Sequence, residues 1–345
     1  MKALTLTATG GLEHLQVQDV STPSVRAPDD VLVRIHTAAL NRLDLWVVDG
    51  LPGLKYSFPH VLGSDGAGVV LAVGPGATRF QVGTPVLLNP GVSCGRCEWC
   101  LAGEQPLCPD FAVLGEHRPG TLAEYVVVPE RNLAAIPPSM PWAEAAALPL
   151  TTITAWRMLM TRARLLAGET VLIWGIGGGV ALAALKIARE AGARVIVTSS
   201  SDEKLARARA LGAELTLNHA TTNVASEVRS FTGRRGVEVV VDSVGEKTWG
   251  QSLRCLARCG RLVTCGGTTG PLVTTDVRKL FWYQWSILGS TMGSDADFQA
   301  VVRLAHAGRL WPELDRTYRL ADARAAFGRL ADGARFGKII IEVAP

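Results

Sequence analysis

The stretch Thr170-Val171-Leu172-Ile173-Trp174-Gly175-Ile176-Gly177-Gly178-Gly179-Val180-Ala181 decides how the chain is read. An apolar strand runs directly into a glycine turn, and a helical run follows as far as Gly192. Without Cβ atoms the turn lets the backbone approach a pyrophosphate, whose charge then faces the unpaired N–H groups of the helix start. A glycine cluster alone is weak evidence, but a strand before it and a helix after it are the context that the motif requires. Two spacings fit: Gly175-x-Gly177 with Val180 in third place, or Gly178-x-x-Ala181, which leaves a small residue for helix packing and is preferred. Gly175, Gly177, Gly178, Gly179 and Val180 are therefore candidate contacts to a dinucleotide.

The text on either side keeps the alternation going. Strands are expected at 170–174, 194–198, 214–217, 237–242, 261–265 and 286–289, with helices at about 180–191, 202–211, 223–231 and 248–258. Alternating strands and helices imply a parallel sheet. Val195-Ile196-Val197 and Val239-Val240-Val241 are apolar without interruption, as in strands covered on both faces. The fold class is α/β, with a doubly wound parallel sheet over about 140–290. At the end of the second strand, Thr198-Ser199-Ser200-Ser201-Asp202-Glu203-Lys204 puts hydroxyls where an NAD site usually presents a carboxylate. Ser199, Ser200 and Lys204 suit a 2′-phosphate that a carboxylate would repel, so NADP(H) is expected over NAD(H). The alternative is that Ser201 or Asp202 simply caps the next helix and the cofactor choice is loose. Asp242 and Gly245 after the fourth strand, and Gly266 and Gly267 after the fifth, are expected along the cofactor's edge.

Upstream the texture changes. Residues 1 to about 130 are rich in Gly and Pro, with short alternating runs such as Val31-Leu32-Val33-Arg34-Ile35-His36, which is β-rich text. After a helix near 295–308, strand-like text returns at Lys338-Ile339-Ile340-Ile341-Glu342-Val343. This tail is expected to rejoin the N-terminal β domain, so that the dinucleotide domain is inserted within it.

The 345 residues, 48% hydrophobic and 19% charged, suit a folded chain of about two domains. A formal charge of +4 with no dense Lys/Arg cluster gives no reason to expect a nucleic-acid partner. No stretch reaches the roughly 18 apolar residues of a membrane helix, and Met1-Lys2-Ala3-Leu4-Thr5-Leu6-Thr7 alternates like a strand instead of opening a signal peptide. A cytoplasmic protein without membrane partners is expected. Of seven cysteines, Cys94, Cys97, Cys100 and Cys108 form C-x2-C-x2-C-x7-C. Four thiolates so spaced can close a tetrahedral zinc shell with no open position, which predicts one structural Zn2+ per chain. An iron–sulfur cluster can also take four Cys, but thiolate preference favours zinc. Cys255, Cys259 and Cys265 are expected to be buried small apolar side chains, the first two one helical turn apart.

These pieces in this order resemble the medium-chain dehydrogenase/reductase superfamily, the zinc alcohol dehydrogenases together with the quinone oxidoreductases. The resemblance covers essentially the whole chain. It is carried by Leu62-Gly63-Ser64-Asp65-Gly66-Ala67-Gly68-Val69-Val70, the four-Cys lobe at about 91–110, Gly120-Thr121-Leu122-Ala123-Glu124-Tyr125, the glycine turn, Val241-Asp242-Ser243-Val244-Gly245 and Gly337-Lys338-Ile339. It implies a GroES-like β-rich catalytic domain over 1–130, completed by about 310–345, around a Rossmann domain over 140–290. Substrate would lie in the cleft between them, with hydride moved to or from a nicotinamide. Lys338 joins the expected cofactor contacts, and a homodimer or homotetramer is expected through the last Rossmann strand, near 286–289.

The departures carry as much information as the matches. Alcohol dehydrogenases of this superfamily place a catalytic zinc on a Cys, a His in a Gly-His-Glu motif, and a third Cys or acidic residue before the Rossmann domain. Here Asn41, Ser64 and Leu150 align with those ligands. Asn and Ser are poor zinc ligands and Leu is none, so the catalytic zinc is expected to be lost. Asn41-Arg42-Leu43-Asp44 instead resembles the metal-free quinone-oxidoreductase branch. Without a Lewis acid a simple alcohol is a hard substrate. A quinone or α,β-unsaturated carbonyl spreads the incoming charge into an enolate, so weaker donors suffice. Small-molecule carbonyls, quinones or enones are thus the expected substrates.

Candidate catalytic residues are Asn41 and His117, with Glu116 beside it, as donors, and Asp44 to hold Asn41 or the nicotinamide ribose. Arg42 is a candidate pyrophosphate partner. Two alternatives stand: a zinc-dependent alcohol dehydrogenase recruiting His60 or His36, and a cofactor-binding sensor or structural protein without turnover.

Overall fold

Continuous Val/Ile/Leu text builds the strands of a parallel sheet, and β-rich text broken by Gly and Pro builds antiparallel ones. The computed structural model describes residues 1–344. They form two compact units, one of Met1–Thr151 with the segment from Ser294 onward, the other of Thr152–Gly293.

The second unit holds a six-stranded sheet in the order Leu215–Asn218, Arg194–Ser199, Thr170–Ile173, Val237–Val241, Leu256–Thr264, Ser286–Gly289. Every neighbouring pair is parallel. In chain order this is 3-2-1-4-5-6, the doubly wound Rossmann arrangement. The strand order reverses between Thr170–Ile173 and Val237–Val241, and ligands of such sheets bind outside the carboxyl ends of the strands at that reversal. Val171, Leu172, Ile173, Val239 and Val240 are fully buried, as their unalternated text requires. The helices Gly179–Glu190, Asp202–Ala210 and Val224–Phe231 match the expected spans within a residue or two.

One boundary is corrected. The helix expected at 248–258 runs Glu246–Cys255, and a strand begins at Leu256. Cys259 lies in that strand with φ 57° and is exposed, while Cys255 is buried. The two are therefore not a buried pair on one helix face. The helical look of Leu256-Ala257-Arg258-Cys259 gives way to pairing between Leu256 and Val237.

The first unit is β-rich. Its seven-stranded sheet runs Leu133–Ala135, Pro85–Leu88, Asp65–Val73, Asp30–Ala39, Lys338–Glu342, Leu314–Arg319, with Tyr125–Pro129 pairing the far half of Asp30–Ala39. The strand near the chain's end, Lys338–Glu342, lies antiparallel to Asp30–Ala39 (Ile340 opposite Ala39), so the tail does complete the N-terminal sheet. Two apolar clusters fill this unit: one around Leu62, Leu122, Phe327, Ile339 and Ile341, the other around Val33, Ile35, Val86, Leu88 and Val128. Together the units form a GroES-like domain and a Rossmann-like domain. Among the described residues no helix is long and apolar enough to cross a membrane.

Candidate functional site

In the Rossmann unit the glycine turn is shaped for an anion. Gly175 and Gly177 have φ of 70° and 121°, left-handed backbone that a β-branched residue would strain. Thr198 fixes the turn by accepting the Gly175 N–H at Oγ1 (3.2 Å) and the Ile176 N–H at its carbonyl (2.8 Å). Gly178 is the N-cap of the helix Gly179–Glu190, makes no side-chain cap, and has nothing within 4 Å of where a Cβ would stand. A helix start left uncapped, beside open space, fits a pyrophosphate.

The turn after Arg194–Ser199 is made of hydroxyls. Ser199 Oγ accepts the Ser201 N–H (3.1 Å), Ser201 Oγ accepts the Lys204 N–H (3.4 Å) as the helix cap, and Ser200 is exposed. Asp202, the first carboxylate after the strand, accepts Asn218 Nδ2–H at 2.8 Å. Asn218 is itself oriented by the Ala220 N–H on its Oδ1 (3.1 Å). Asn218 was not legible as a participant, because it sits 16 residues downstream on the neighbouring strand. Asp242 directly follows the fourth strand of the sheet, Val237–Val241. Its buried carboxylate accepts the Val244 and Gly245 N–H groups and the hydroxyls of Thr248 and Ser252 (2.6–3.0 Å), so it organises the following helix start. Gly245 is required there: φ is 87°, and a Cβ would meet Gly270 O at 2.6 Å and Gly267 Cα at 2.9 Å. Gly266 closes a local loop on Thr264.

In the first unit the four cysteines converge. Their Sγ atoms all lie within 4.8 Å of one another, with Cys97–Cys100 at 3.5 Å and Cys94–Cys100 at 3.9 Å. Zn–S bonds of about 2.3 Å in a tetrahedron put sulfurs about 3.8 Å apart, so the donor set fits a closed zinc shell. Backbone N–H groups of Arg96 and Cys97 hold the Cys94 thiol down, while sharing among the clustered sulfurs pushes Cys97 up, so without a metal the four thiols do not ionise together. Arg131 backs the lobe by donating to the Ser93 carbonyl and to Asp29 (3.2 Å).

The residues aligned with a catalytic metal make a different arrangement. Asp65 is fully buried, and its Oδ2 accepts both the Lys338 ammonium (2.8 Å) and Asn41 Nδ2–H (3.0 Å). Its Oδ1 accepts the Leu150 N–H at 2.8 Å. Lys338 Nζ also donates to Asn41 Oδ1 at 2.5 Å. Asn41 caps the helix Arg42–Asp49 with Asp44, which takes the Asn41 N–H at 2.6 Å. Burial pushes the Asp44 carboxyl up to about 7, against the pull of the Asn41 N–H and the Lys338 ammonium, while Asp65 adds to the rise.

Two expectations change here. The Lys338 ammonium, expected at the cofactor, is 3% exposed and held by Asn41 and Asp65. Asn41, expected to donate to substrate, has its amide turned to Asp65 on one side and Lys338 on the other. Ser64 Oγ is buried with no hydrogen-bond partner.

The remaining candidates make no hydrogen bond to this cluster among the bonds described. His117 is partly exposed, accepts the Val113 N–H at Nδ1 (3.3 Å) and sits 3.7 Å from Glu116, whose carboxyl burial pushes up. A neutral His117 ring with Nδ1 accepting carries its proton on Nε2. Arg42 is exposed in the first turn of its helix. His60 Nε2 is 3.0 Å from the Gly115 carbonyl and His36 stacks on Trp142 at 4.6 Å, so neither joins Asp65. Among the described residues, the four cysteines are the group of three or more His, Cys, Asp or Glu side chains that could hold a metal.

Comparison with known proteins agrees with this anatomy. Residues 27–138 match the model of the alcohol dehydrogenase GroES-like domain, and 179–307 that of the zinc-binding dehydrogenase domain. A zinc-type alcohol dehydrogenase-like protein of Schizosaccharomyces pombe is 33% identical, covering 96% of each chain. The chain belongs to the medium-chain dehydrogenase/reductase superfamily, in its zinc-type alcohol dehydrogenase family. Within that superfamily it is also similar to a quinone oxidoreductase of Pseudomonas aeruginosa, 32% identical over 99% of both chains. A crystal structure described as an NAD-dependent alcohol dehydrogenase superposes with a TM-score of 0.96 at 44% identity over 100% of each chain. As a member of this superfamily the protein is an oxidoreductase.

Proposed function

We propose that this oxidoreductase reduces quinones or α,β-unsaturated carbonyl compounds with NADPH, and does so without a catalytic zinc. The observation that carries the reading is the donor set at the three positions aligned with zinc ligands: Asn41, whose amide is engaged by Asp65 and Lys338, Ser64 and Leu150, which together offer no thiolate, imidazole or carboxylate to a metal. Bound NADPH supplies the hydride. What the chain must add is a place for the pyrophosphate and a proton for the enolate that hydride addition leaves. The glycine turn and the start of Gly179–Glu190 suit the first role. His117 Nε2–H, or the partly buried Glu116 carboxyl beside it, whose hold on a proton burial strengthens, suits the second.

The preference for NADPH over NADH is supported by the hydroxyls of Ser199 and Ser200 and by the Asn218 clamp, which turns Asp202 aside. One structural zinc on Cys94, Cys97, Cys100 and Cys108 is part of the same reading, as is a cytoplasmic setting. Self-association as a homodimer or homotetramer is supported by the edge strand Ser286–Gly289 and the exposed Val277, Phe281 and Trp282 on the helix just before it.

The test pairs metal content with turnover. The reading expects one zinc per chain and steady NADPH oxidation with 1,4-benzoquinone or methyl vinyl ketone. Two metals per chain with brisk oxidation of a plain primary alcohol favours the zinc-dependent alternative, and cofactor binding without any turnover favours a sensor.

A further inference from the structure

The four-cysteine lobe is short of positive charge. Its own text at 91–110 sets Arg96 against Glu98, Glu104 and Asp110, and Arg96 is exposed. Zn2+ held by four thiolates would add a dianionic centre to that excess. Cys100 and Cys108 are buried and Cys94 and Cys97 half-buried, so water alone cannot solvate such a centre. Charge in that position is costly unless a cation or N–H donors stand close by.

A cation reaches the lobe from outside it. Arg131, in the short helical turn Glu130–Asn132, donates through Nη2 to the carbonyl of Ser93. Its guanidinium also lies 3.4 Å from where a Cβ on Gly95 would stand, so the left-handed glycine there, with φ 75°, leaves it room. It thus spans the backbone on both sides of Cys94. Nη1 donates to Asp29 at 3.2 Å, which fixes the plane of the fork. The side chain is 34% exposed, so water screens its charge only in part.

We propose that Arg131 is the counter-charge of this lobe: it offsets the negative tetrathiolate from across Cys94 and so sets how long the zinc is retained. The inference rests on the structural-zinc reading above and deepens it by naming the residue that balances the site. Arg131 donates to no cysteine sulfur among the bonds described, and it is a positioning residue.

The test uses the zinc-loaded full chain. Transfer of zinc to excess 4-(2-pyridylazo)resorcinol is timed by absorbance for wild type, Arg131→Gln, Arg131→Lys and Arg96→Gln, and Co2+-substituted samples report the sulfur shell by their visible bands. Arg131→Gln, which keeps an N–H donor but no charge, should release zinc about tenfold faster than wild type. Arg131→Lys, which keeps the charge, should stay within about threefold of wild type. Arg96→Gln should match wild type, and the Co2+ bands should be the same in all four because the sulfurs are unchanged. The inference is overturned if Arg131→Gln retains zinc as long as wild type, if Arg131→Lys is as fast as Arg131→Gln, or if Arg96→Gln is as fast as either. Should Arg131→Gln not fold, Asp29→Asn takes its place. With no carboxylate sharing the guanidinium, it should release zinc more slowly than wild type, and equal or faster release overturns the inference. Wild type that takes up no zinc overturns the structural-zinc reading itself, an outcome seen before any variant is compared.

Discussion

The four-cysteine lobe and the Asp65 cluster are both polar knots in one β-rich unit, yet they are closed by opposite means. In the lobe, four thiols converge within 4.8 Å, bonded by the Cys94 and Cys97 N–H groups and by one another, a donor set that a bound cation would complete. At Asp65 a lysine is covalently part of the chain and the charge is already there. One knot is a donor set that an ion would complete, the other an ion pair complete within the chain.

The largest expected effect is on the lobe. Cys100→Ser should lose zinc and open residues 91–110 to protease, since closed zinc shells contribute on the order of 10 kcal/mol in isolated peptides. A lobe that stays protected with no metal would dissolve the contrast. Next comes Asp65→Asn, which leaves the ammonium buried without its carboxylate. A destabilisation of about 3–5 kcal/mol is expected by denaturant unfolding, and a loss below 1 kcal/mol would mean that the pair is not the closure described.

Asp44 sharpens the comparison through pH. Its folded carboxyl is raised to about 7 by burial, so between the ordinary carboxylate range and pH 7 the folded chain binds more protons than the unfolded one. Stability should therefore fall as pH rises through that window, by a few kcal/mol at most. Asp44→Asn should flatten the slope between about pH 4 and pH 7, whereas an unchanged profile would remove Asp44 as its source. The smallest effect carries the contrast to the cofactor turn, where Asn218 holds Asp202 much as Lys338 holds Asp65. Asn218→Leu should cut the ratio of NADPH to NADH affinity by about fivefold, on the order of 1 kcal/mol, and Asp202→Asn in the same chain should restore it. Fluorescence titration of both cofactors reads this directly.

The Rossmann sheet was legible because its central strands carry unbroken apolar runs such as Val195-Ile196-Val197 and Val239-Val240-Val241, and the lobe because its ligands crowd into 15 residues. Strand–helix boundaries were less so: Leu256 reads as helix until its partner Val237 is known. Near Asp65 the absence of metal ligands could be read from Asn41, Ser64 and Leu150, but the ion pair beside them could not. No local signal links Lys338 to Asp65, and a lysine before Ile339-Ile340-Ile341 reads equally well as a phosphate contact. The same distance hid the two-sided engagement of the Asn41 amide, which only the fold reveals.

The position of Lys338 also orders events during synthesis. A ribosome adds residues at about 5–20 per second and domains fold as they emerge, yet the ammonium that completes Asp65 appears only with the final strand, Lys338–Glu342. Until then the early sheet lacks both that strand and its counter-charge, and the inserted unit, finished by Gly293, has already left the exit tunnel or is leaving it. The strands that begin this sheet are therefore made well before the strand that completes it, with the whole Rossmann unit in between.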